Sequence, residues 1–186
     1  MSRLFNDASN QFLHVNQAVA GIPFAMVCWF NSNDTSIYHA PMSIGDKDNN
    51  DNAFMMRLYP VGGAQKISAT VWNNPNSGVA LTSTGYTVNT WHHGCVIYVS
   101  ATDRRAFIDG GSKGTNATSV TPINSDRTTV GAEARSTPFY PVSGMLAEVA
   151  IWDLSDWPGA TDALKADAFE KILPSLANGD TPENYP

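Results

Sequence analysis

The chain has 186 residues and a formal net charge of -6, and only 15% of its residues are charged. This length fits one domain that buries a core without disulfides or metals. The negative charge, without a Lys/Arg cluster, excludes nucleic acid and anionic lipid surfaces as expected partners. No apolar run approaches the ~20 residues that span a bilayer, so we expect no membrane insertion.

The N-terminal segment MSRLFNDASNQF lacks the apolar core of a signal peptide, which predicts synthesis in the cytoplasm. The two cysteines, Cys28 and Cys95, each lie inside an apolar, strand-like run. That setting favours buried free thiols over a disulfide framework and agrees with a reducing compartment.

Short runs of apolar and β-branched residues end in Gly, Asn, Asp or Pro about every 8–12 residues, which predicts an all-β sandwich or barrel. The predicted strands lie at 11–16, 22–31, 36–45, 53–60, 64–73, 77–82, 90–99, 103–109, 127–133 and 142–153. The runs 22–31 and 90–99 are apolar on both faces, so we expect them at the centre of a sheet.

Alternation is clear in the segment 64–73, where side chains point to opposite faces of a strand. The apolar set is Ile67, Ala69 and Val71, and the other set is Lys66, Ser68, Thr70 and Trp72. One face should therefore pack in a core, and the other should be at least partly solvated.

One helix is predicted at about 160–174, because Leu164, Ala168 and Ile172 recur at helical spacing. Thr161 is a suitable N-cap and Pro174 a stop signal. The tail beyond it is polar and turn-rich. The chain thus divides into a β domain at 1–157 and a C-terminal helix and polar arm at 158–186, packed on the domain or extending from it.

The stretch TWHHGCVIYVSATDRRAFIDGG, at 90–111, carries two adjacent histidines. On a strand, His92 and His93 face opposite sides, so they cannot ligate one ion. His93 and Cys95 do share a face, but zinc needs three or four ligands and no second pair has ligand spacing. Structural roles are therefore expected here. The segment GGSKGT at 110–115 lacks the order of a phosphate loop and is interpreted as a hairpin turn.

These motifs resemble laminin-G-like and pentraxin-like domains of the concanavalin A-like lectin/glucanase superfamily. The likeness covers about 10–157. Its motifs are Trp91-His92-His93, Phe107-Ile108-Asp109-Gly110, GIPFAMVCWFNS at 21–32 and FYPVSGMLAEVAIWDLSDW at 139–157, although Ala147 stands where an aspartate is usual. The resemblance implies a two-sheet antiparallel jelly-roll sandwich, here with one C-terminal α-helix. The final helix and LANGDTP also resemble the segment that follows such domains in phage-encoded relatives.

The loop GDKDNNDNAF places Asp46, Asp48 and Asn50 at positions 1, 3 and 5 of a calcium loop. An EF-hand is excluded, because Asp51 replaces its glycine and Arg57 its bidentate glutamate. Rim loops of laminin-G-like and pentraxin-like domains bind calcium in some cases, so the resemblance leaves open a site of Asp46, Asp48 and Asp51. The alternative is a solvated Asn/Asp-rich hairpin loop.

Glycoside hydrolysis by the glucanase mechanism needs carboxylates on one strand face. The nearest stretch here is Glu148-Val-Ala-Ile-Trp152, where alanine and tryptophan occupy the other two carboxylate positions. We therefore expect no catalytic residue and no enzyme of that mechanism.

Sugar binding is a separate possibility. Trp72 shares its predicted strand face with Lys66 and Thr70, and Arg57 and Tyr59 share a face of the preceding strand. An aromatic ring beside hydrogen-bonding groups suits the stacking of a sugar ring. The alternative is that these residues pack under a loop, under the helix or against another subunit.

We predict a non-catalytic structural or adhesion module on a virion surface, as a capsid decoration protein or tail component. Two alternatives are open: a free-standing carbohydrate-binding lectin, with or without calcium, and a glycoside hydrolase of unrecognised type. The expected partners are other virion proteins, a second copy in a homo-oligomer, and a cell-surface glycan. The protein would reach the virion after synthesis in the cytoplasm, and residence in the cytoplasm is the alternative.

Overall fold

Two six-stranded antiparallel sheets pack face to face in the computed structural model, which describes residues 2–18, 20–61 and 63–179. The first sheet has the order β1-β12-β3-β8-β9-β10 and the second the order β2-β11-β4-β5-β6-β7. This architecture confirms the predicted jelly-roll sandwich. The strands are β1 Ser2–Phe5, β2 Leu13–Val15, β3 Phe24–Ser32, β4 His39–Gly45, β5 Asn52–Val61, β6 Ala64–Asn73, β7 Asn76–Leu81, β8 His92–Ser100, β9 Asp103–Ile108, β10 Gly111–Asn116, β11 Arg127–Val130 and β12 Gly144–Asp153.

The main core lies between the sheets and is built from alternate side chains of the central strands. β3 contributes Phe24, Met26 and Phe30 to it, and β5 contributes Phe54 and Met56. Such burial of apolar area is the main favourable term in folding. The predicted central position of β3 and β8 is confirmed, since they are the middle strands of the first sheet.

Tyr98 joins the two sheets through its hydroxyl group. That oxygen accepts the Met55 N–H at 3.0 Å and lies 2.8 Å from the Thr70 carbonyl oxygen, to which it donates. Tyr98 is fully buried, so its hydroxyl needs such partners. The β8 alternation is as predicted, with Val96 and Tyr98 facing the second sheet and Cys95 and Ile97 facing away from it.

Strand β1 is a segment for which the sequence predicted no strand. It pairs with β12, from Ser2 opposite Ala147 to Phe5 opposite Gly144. Three of its four side chains are exposed, and only Phe5 is buried. A short edge strand with one buried residue has no alternation to detect, so only the pairing with β12 defines it.

Strand β10 corrects the interpretation of GGSKGT as a turn. The turn is two residues long: Asp109 and Gly110 both have positive φ, at 50° and 72°, as a type I′ hairpin requires. β10 begins directly after it. Gly114 lies so close to the Leu81 carbonyl oxygen that a Cβ atom would clash. Gly114, one of the glycines that suggested a turn, therefore allows β10 to approach β7.

The C-terminal region forms two helices, α1 at Asp162–Glu170 and α2 at Leu173–Ala177, where one was predicted. Thr161 is the N-cap as predicted, since its hydroxyl oxygen accepts the Leu164 N–H at 3.3 Å. Pro174 does not end the helical region: it lies in the first turn of α2, where its missing N–H costs no hydrogen bond. Residues 180–186 of the predicted polar arm lie outside the described residues.

Both helices pack on the outer face of the first sheet. The buried residues of α1 are Ala166 and Phe169, whereas Leu164, on the predicted apolar face, is 50% exposed. Helix and sheet side chains form a second apolar cluster, which includes Val27, Ile97 and Leu154. The helical part of 158–179 is therefore packed on the β domain.

An ionic network fixes α1 to the sheet. The Arg105 guanidinium of β9 lies 2.7 Å from Asp103, 2.7 Å from Asp167 and 2.5 Å from Glu170. Lys113 of β10 contacts Glu170 at 2.8 Å. No helix among the described residues has the length and apolar character needed to cross a membrane.

Candidate functional site

The predicted sugar-binding residues all lie on the outer face of the second sheet. Tyr59 of β5 is opposite Lys66 of β6, and Arg57 is opposite Ser68. Directly paired residues of antiparallel strands share a face, and so do residues two positions apart on one strand, so Thr70 and Trp72 lie on this face with Lys66 and Ser68. The helices cover the other sheet, so this face is free of them.

A groove of about 190 Å³ opens beside the Trp72 ring. Its other lining residues are Asp51, Asn74, Pro75, Asn76 and Ser77. The two loops that build it are tied together, because the Asn74 N–H donates to the Asp51 carbonyl oxygen at 3.1 Å. The groove thus combines an aromatic ring with amide, hydroxyl and carboxylate groups.

Asp51 adopts a left-handed conformation with φ 60°, which aspartate tolerates better than most residues. Its Oδ1 lies 3.5 Å from Nη1 of Arg135. Arg135 also donates to the Asn50 side-chain oxygen at 2.9 Å and lies 3.4 Å from Glu133. Asp51 was predicted as a calcium ligand; the structure places it in the Trp72 groove instead.

Arg57 lies inside an aromatic cage. Its guanidinium carbon is 4.3 Å from the centre of the Tyr38 ring, 4.4 Å from that of Tyr140 and 5.3 Å from that of Trp72. Arg57 is only 3% exposed. Cation–π contacts of a desolvated guanidinium are worth about 2 kcal/mol. Arg57 therefore supports the Trp72 ring from below and presents almost no surface of its own.

The segment between β11 and β12 supplies the cover of this cage. It is fixed to β4, because the Ser43 hydroxyl accepts the Ala134 N–H and lies 3.3 Å from the Ala132 carbonyl oxygen. Glu133 of this segment is fully buried. Burial raises the pKa of Glu133, although Arg135 and Arg57 oppose the shift. The Glu133 carboxyl group contacts Arg135 at 3.4 Å and, being fully buried, has no access to a ligand.

Two of the predicted residues act within the fold. Thr70 is fully buried, and its hydroxyl lies 2.9 Å from that of Ser68, which is also buried. The predicted solvation of this face is therefore wrong for Ser68 and Thr70, which are both buried. Lys66 is half-buried and donates to the Ser83 carbonyl oxygen at 3.1 Å. Sequence alternation located the face correctly, but it could not show which side chains the loops cover.

A cluster of three carboxylates lies at the rim of the same sheet. Atoms of Asp46, Asp48 and Asp126 come within 4.8 Å of one another, close enough to hold a metal ion. Lys47 already interacts with it, since its ammonium group bonds to Asp48 and lies 2.8 Å from Asp126. These hydrogen bonds lower the pKa of Asp126. Of the predicted trio, Asp46 and Asp48 are brought together, whereas Asp126 takes the third position.

The adjacent histidines have structural surroundings. His92 Nδ1 lies 2.8 Å from the Asp109 carboxylate, and its Nε2 accepts the Thr87 N–H at 3.0 Å. The His93 N–H donates to the same carboxylate at 2.9 Å. Asp109 thus connects its hairpin turn to the start of β8. Burial lowers the pKa of His93 to about 4.

Glu148, the nearest residue to a glucanase-type carboxylate, is exposed at a bulge in β12 and has φ 49°. It lines a groove of about 310 Å³ together with mainly apolar side chains, including Phe5, Leu13 and Val130. Glu148 is the only carboxylate in that lining, and retaining or inverting hydrolysis needs two.

A family model described as the concanavalin A-like lectin/glucanases superfamily (Laminin_G_3) matches residues 6–155. No curated protein matches the chain.

Several solved structures share the fold at low sequence identity. The CBM40 of the Ruminococcus gnavus IT-sialidase, solved with α2,3-sialyllactose, has a TM-score of 0.59 and 15% identity over 80% of this chain and 84% of that one. The heptameric SAP-like pentraxin of Limulus polyphemus has a TM-score of 0.57 and 14% identity, over 83% and 73%. The NanB sialidase of Streptococcus pneumoniae (K499G mutant) has a TM-score of 0.62 and 15% identity over 83% of this chain. The chain spans only 26% of that sialidase chain.

Proposed function

Since the chain belongs to the concanavalin A-like lectin/glucanases superfamily, we propose that it is a non-catalytic carbohydrate-binding module whose ligand stacks on Trp72. The observation that carries this proposal is the open groove in which the Trp72 ring lies beside Asp51, Asn74, Asn76 and Ser77. A sugar ring needs this combination, because its apolar face stacks on an aromatic ring while its hydroxyl groups form hydrogen bonds.

Two further observations support carbohydrate binding. The R. gnavus CBM40, of similar fold, is described as bound to sialyllactose. In this chain, the buried Arg57 and the Tyr38 and Tyr140 rings hold Trp72 on a rigid support. Binding sites gain affinity when their side chains are ordered before the ligand arrives.

The test is the binding of the purified protein to a glycan array, followed by titration calorimetry with the best glycan. Trp72→Ala should lower affinity at least ~30-fold, because truncation of a stacking aromatic costs about 2 kcal/mol or more. Trp91→Ala, at a tryptophan that is 37% exposed and outside the groove lining, is the matched control and should keep wild-type affinity. Equal binding by the wild-type protein and Trp72→Ala would contradict the proposal. The same assays with and without calcium test whether a calcium ion at the Asp46, Asp48 and Asp126 cluster contributes to glycan binding.

A non-catalytic role predicts no release of sugar from polysaccharides. Glu148 lacks a second carboxylate in its groove, so Glu148→Gln should have no effect in reducing-sugar assays. Product release that depends on Glu148 would instead support the hydrolase alternative.

We also propose that the module acts in adhesion on a virion surface, alone or as a homo-oligomer. The proposal follows the sequence resemblance of the C-terminal segment to segments of phage-encoded proteins. The apolar side chains Leu4, Leu13 and Val15 are exposed on edge strands β1 and β2. Such edges favour contact with another chain. Mass spectrometry of purified particles and light scattering of the free protein test the location and the oligomeric state separately.

A further inference from the structure

We propose that the Trp72 groove selects uncharged sugar rings over rings that carry a carboxylate, and that Asp51 is the specificity-determining residue. This inference rests on the proposed carbohydrate-binding function and names its ligand class. It comes from the charge of the groove lining and from the positions of the neighbouring cations.

The carboxylate of Asp51 is the one charged group among the residues that line the groove. The other polar contributors, Asn74, Asn76 and Ser77, are neutral. The Asp51 side chain is 36% exposed, so its oxygens are accessible to a ligand. An ionised carboxylate only accepts hydrogen bonds, and sugar hydroxyl groups are donors to it.

The nearby arginines are not free to receive a ligand carboxylate. Arg57 is 3% exposed, and its guanidinium group lies between the Tyr38 and Tyr140 rings. Arg135 lies over the Phe139 ring at 4.8 Å and already contacts Asn50, Asp51 and Glu133. Recognition of a carboxylate favours an accessible, bidentate arginine. Neither arginine lines the groove.

The size of the groove limits the part of a glycan that is selected. Its volume of about 190 Å³ is below the ~300–1,000 Å³ of pockets that enclose drug-sized ligands. One ring stacked on Trp72 therefore occupies it, and the rest of the glycan lies outside. A carboxylate on that ring would come close to Asp51, whereas a carboxylate on a distant residue would not.

The experiment compares glycan pairs that differ only in the carboxylate of the terminal ring: glucose against glucuronate, and galactose against galacturonate, on identical chains. On the pair that binds, the uronate should be weaker by up to about fivefold, the effect of one pair of like unit charges at contact distance in water. The nearby Arg135, 3.5 Å from Asp51, offsets part of this repulsion. The neutral-to-uronate ratio, which is the affinity for the neutral sugar divided by the affinity for the uronate, should approach one at high salt, because exposed charges are screened. Equal or tighter uronate binding at low salt would overturn the inference.

Three variants assign the effect to Asp51. Asp51→Asn keeps the shape and the left-handed conformation, and it should bring the neutral-to-uronate ratio close to one. Asn76→Asp adds a second carboxylate to the groove and should widen the ratio. Asp156→Asn, in the loop that leads to α1, removes an equal charge elsewhere and should leave the ratio at its wild-type value. A ratio unchanged in Asp51→Asn would assign the selectivity to another group and overturn the role of Asp51.

Failure of this inference is distinguishable from failure of the proposed function. Suppose that Trp72→Ala loses all glycan binding while the wild-type protein binds uronates as well as neutral sugars. The proposed binding function then stands, and the proposed selectivity is wrong. If no glycan of either class binds the wild-type protein, both are wrong.

Discussion

His93 shows how a residue that suggests catalysis in the sequence has a structural role in the fold. Its ring is almost fully buried on the helix side of the first sheet, with its centre 5.6 Å from that of the Trp29 ring. Burial disfavours the imidazolium form and lowers the pKa to about 4, whereas Asp109 opposes that shift. A buried neutral histidine makes the folded state sensitive to acid.

The pH dependence of His93 has a definite sign. Its pKa is about 6.5 when unfolded and about 4 when folded, so between these values the unfolded state binds more protons. Stability is therefore lost as pH falls from 6.5 towards 4. The His93→Phe variant has no group to protonate at this position. Between pH 7 and pH 4.5, its free energy of unfolding, measured with urea, should fall by about 2 kcal/mol less than that of the wild-type protein. Equal losses in the two proteins would contradict this assignment.

Helix α1 illustrates how packing selects among the faces that a sequence offers. The spacing of Leu164, Ala168 and Ile172, flanked by Phe169 and Leu173, indicated one apolar face. Phe169, Ile172 and Leu173 of that set are buried against the sheet, whereas Leu164 is 50% exposed. The contacts of Arg105 with Asp167 and Glu170 hold α1 next to β9. Phe169 then packs against Trp152 and Trp157, with ring centres 5.7 Å and 5.1 Å away.

Substitutions on the buried and exposed faces of α1 should differ in their effect on the free energy of unfolding. Phe169→Ala leaves a cavity in the helix–sheet cluster and should lower the free energy of unfolding by about 3–4 kcal/mol. Leu164→Ala is the matched control: the side chain is half exposed and alanine favours a helix, so the change should stay within about 0.5 kcal/mol. Urea denaturation of both variants at pH 7 measures the difference. A larger loss in Leu164→Ala than in Phe169→Ala would contradict the packing of Phe169 as the main contact of α1 with the sheet.

At the scale of the whole molecule, the central strands and the location of the candidate site could be predicted, whereas its composition could not. β3 and β8 are apolar on both faces, and the alternation in β6 placed Trp72 on the outer face. Tyr38, Tyr140 and Asp126 join their partners through loops far away in sequence, so no local pattern indicates these contacts. Edge strands β1 and β10 were missed because they bury few side chains.

The sandwich separates its two outer faces: helices cover the first sheet, and the Trp72 groove opens on the second. Ligand binding and helix docking should therefore be independent. A neutral oligosaccharide at 100 times its Kd stabilises the folded state by ~2.7 kcal/mol, a rise in Tm of about 5–10 °C for a chain of this size.

Phe169→Leu, a milder change than alanine, should have a lower Tm than the wild-type protein but show the same ligand-induced gain in free energy. Trp72→Ala should have a lower Tm without ligand, because it loses the contact with Arg57, and it should show no ligand-induced gain. Differential scanning calorimetry of the three proteins with and without the oligosaccharide measures both quantities. A smaller gain in Phe169→Leu would mean that the helices and the groove are coupled through the core, because the substitution lies on the opposite face from the ligand.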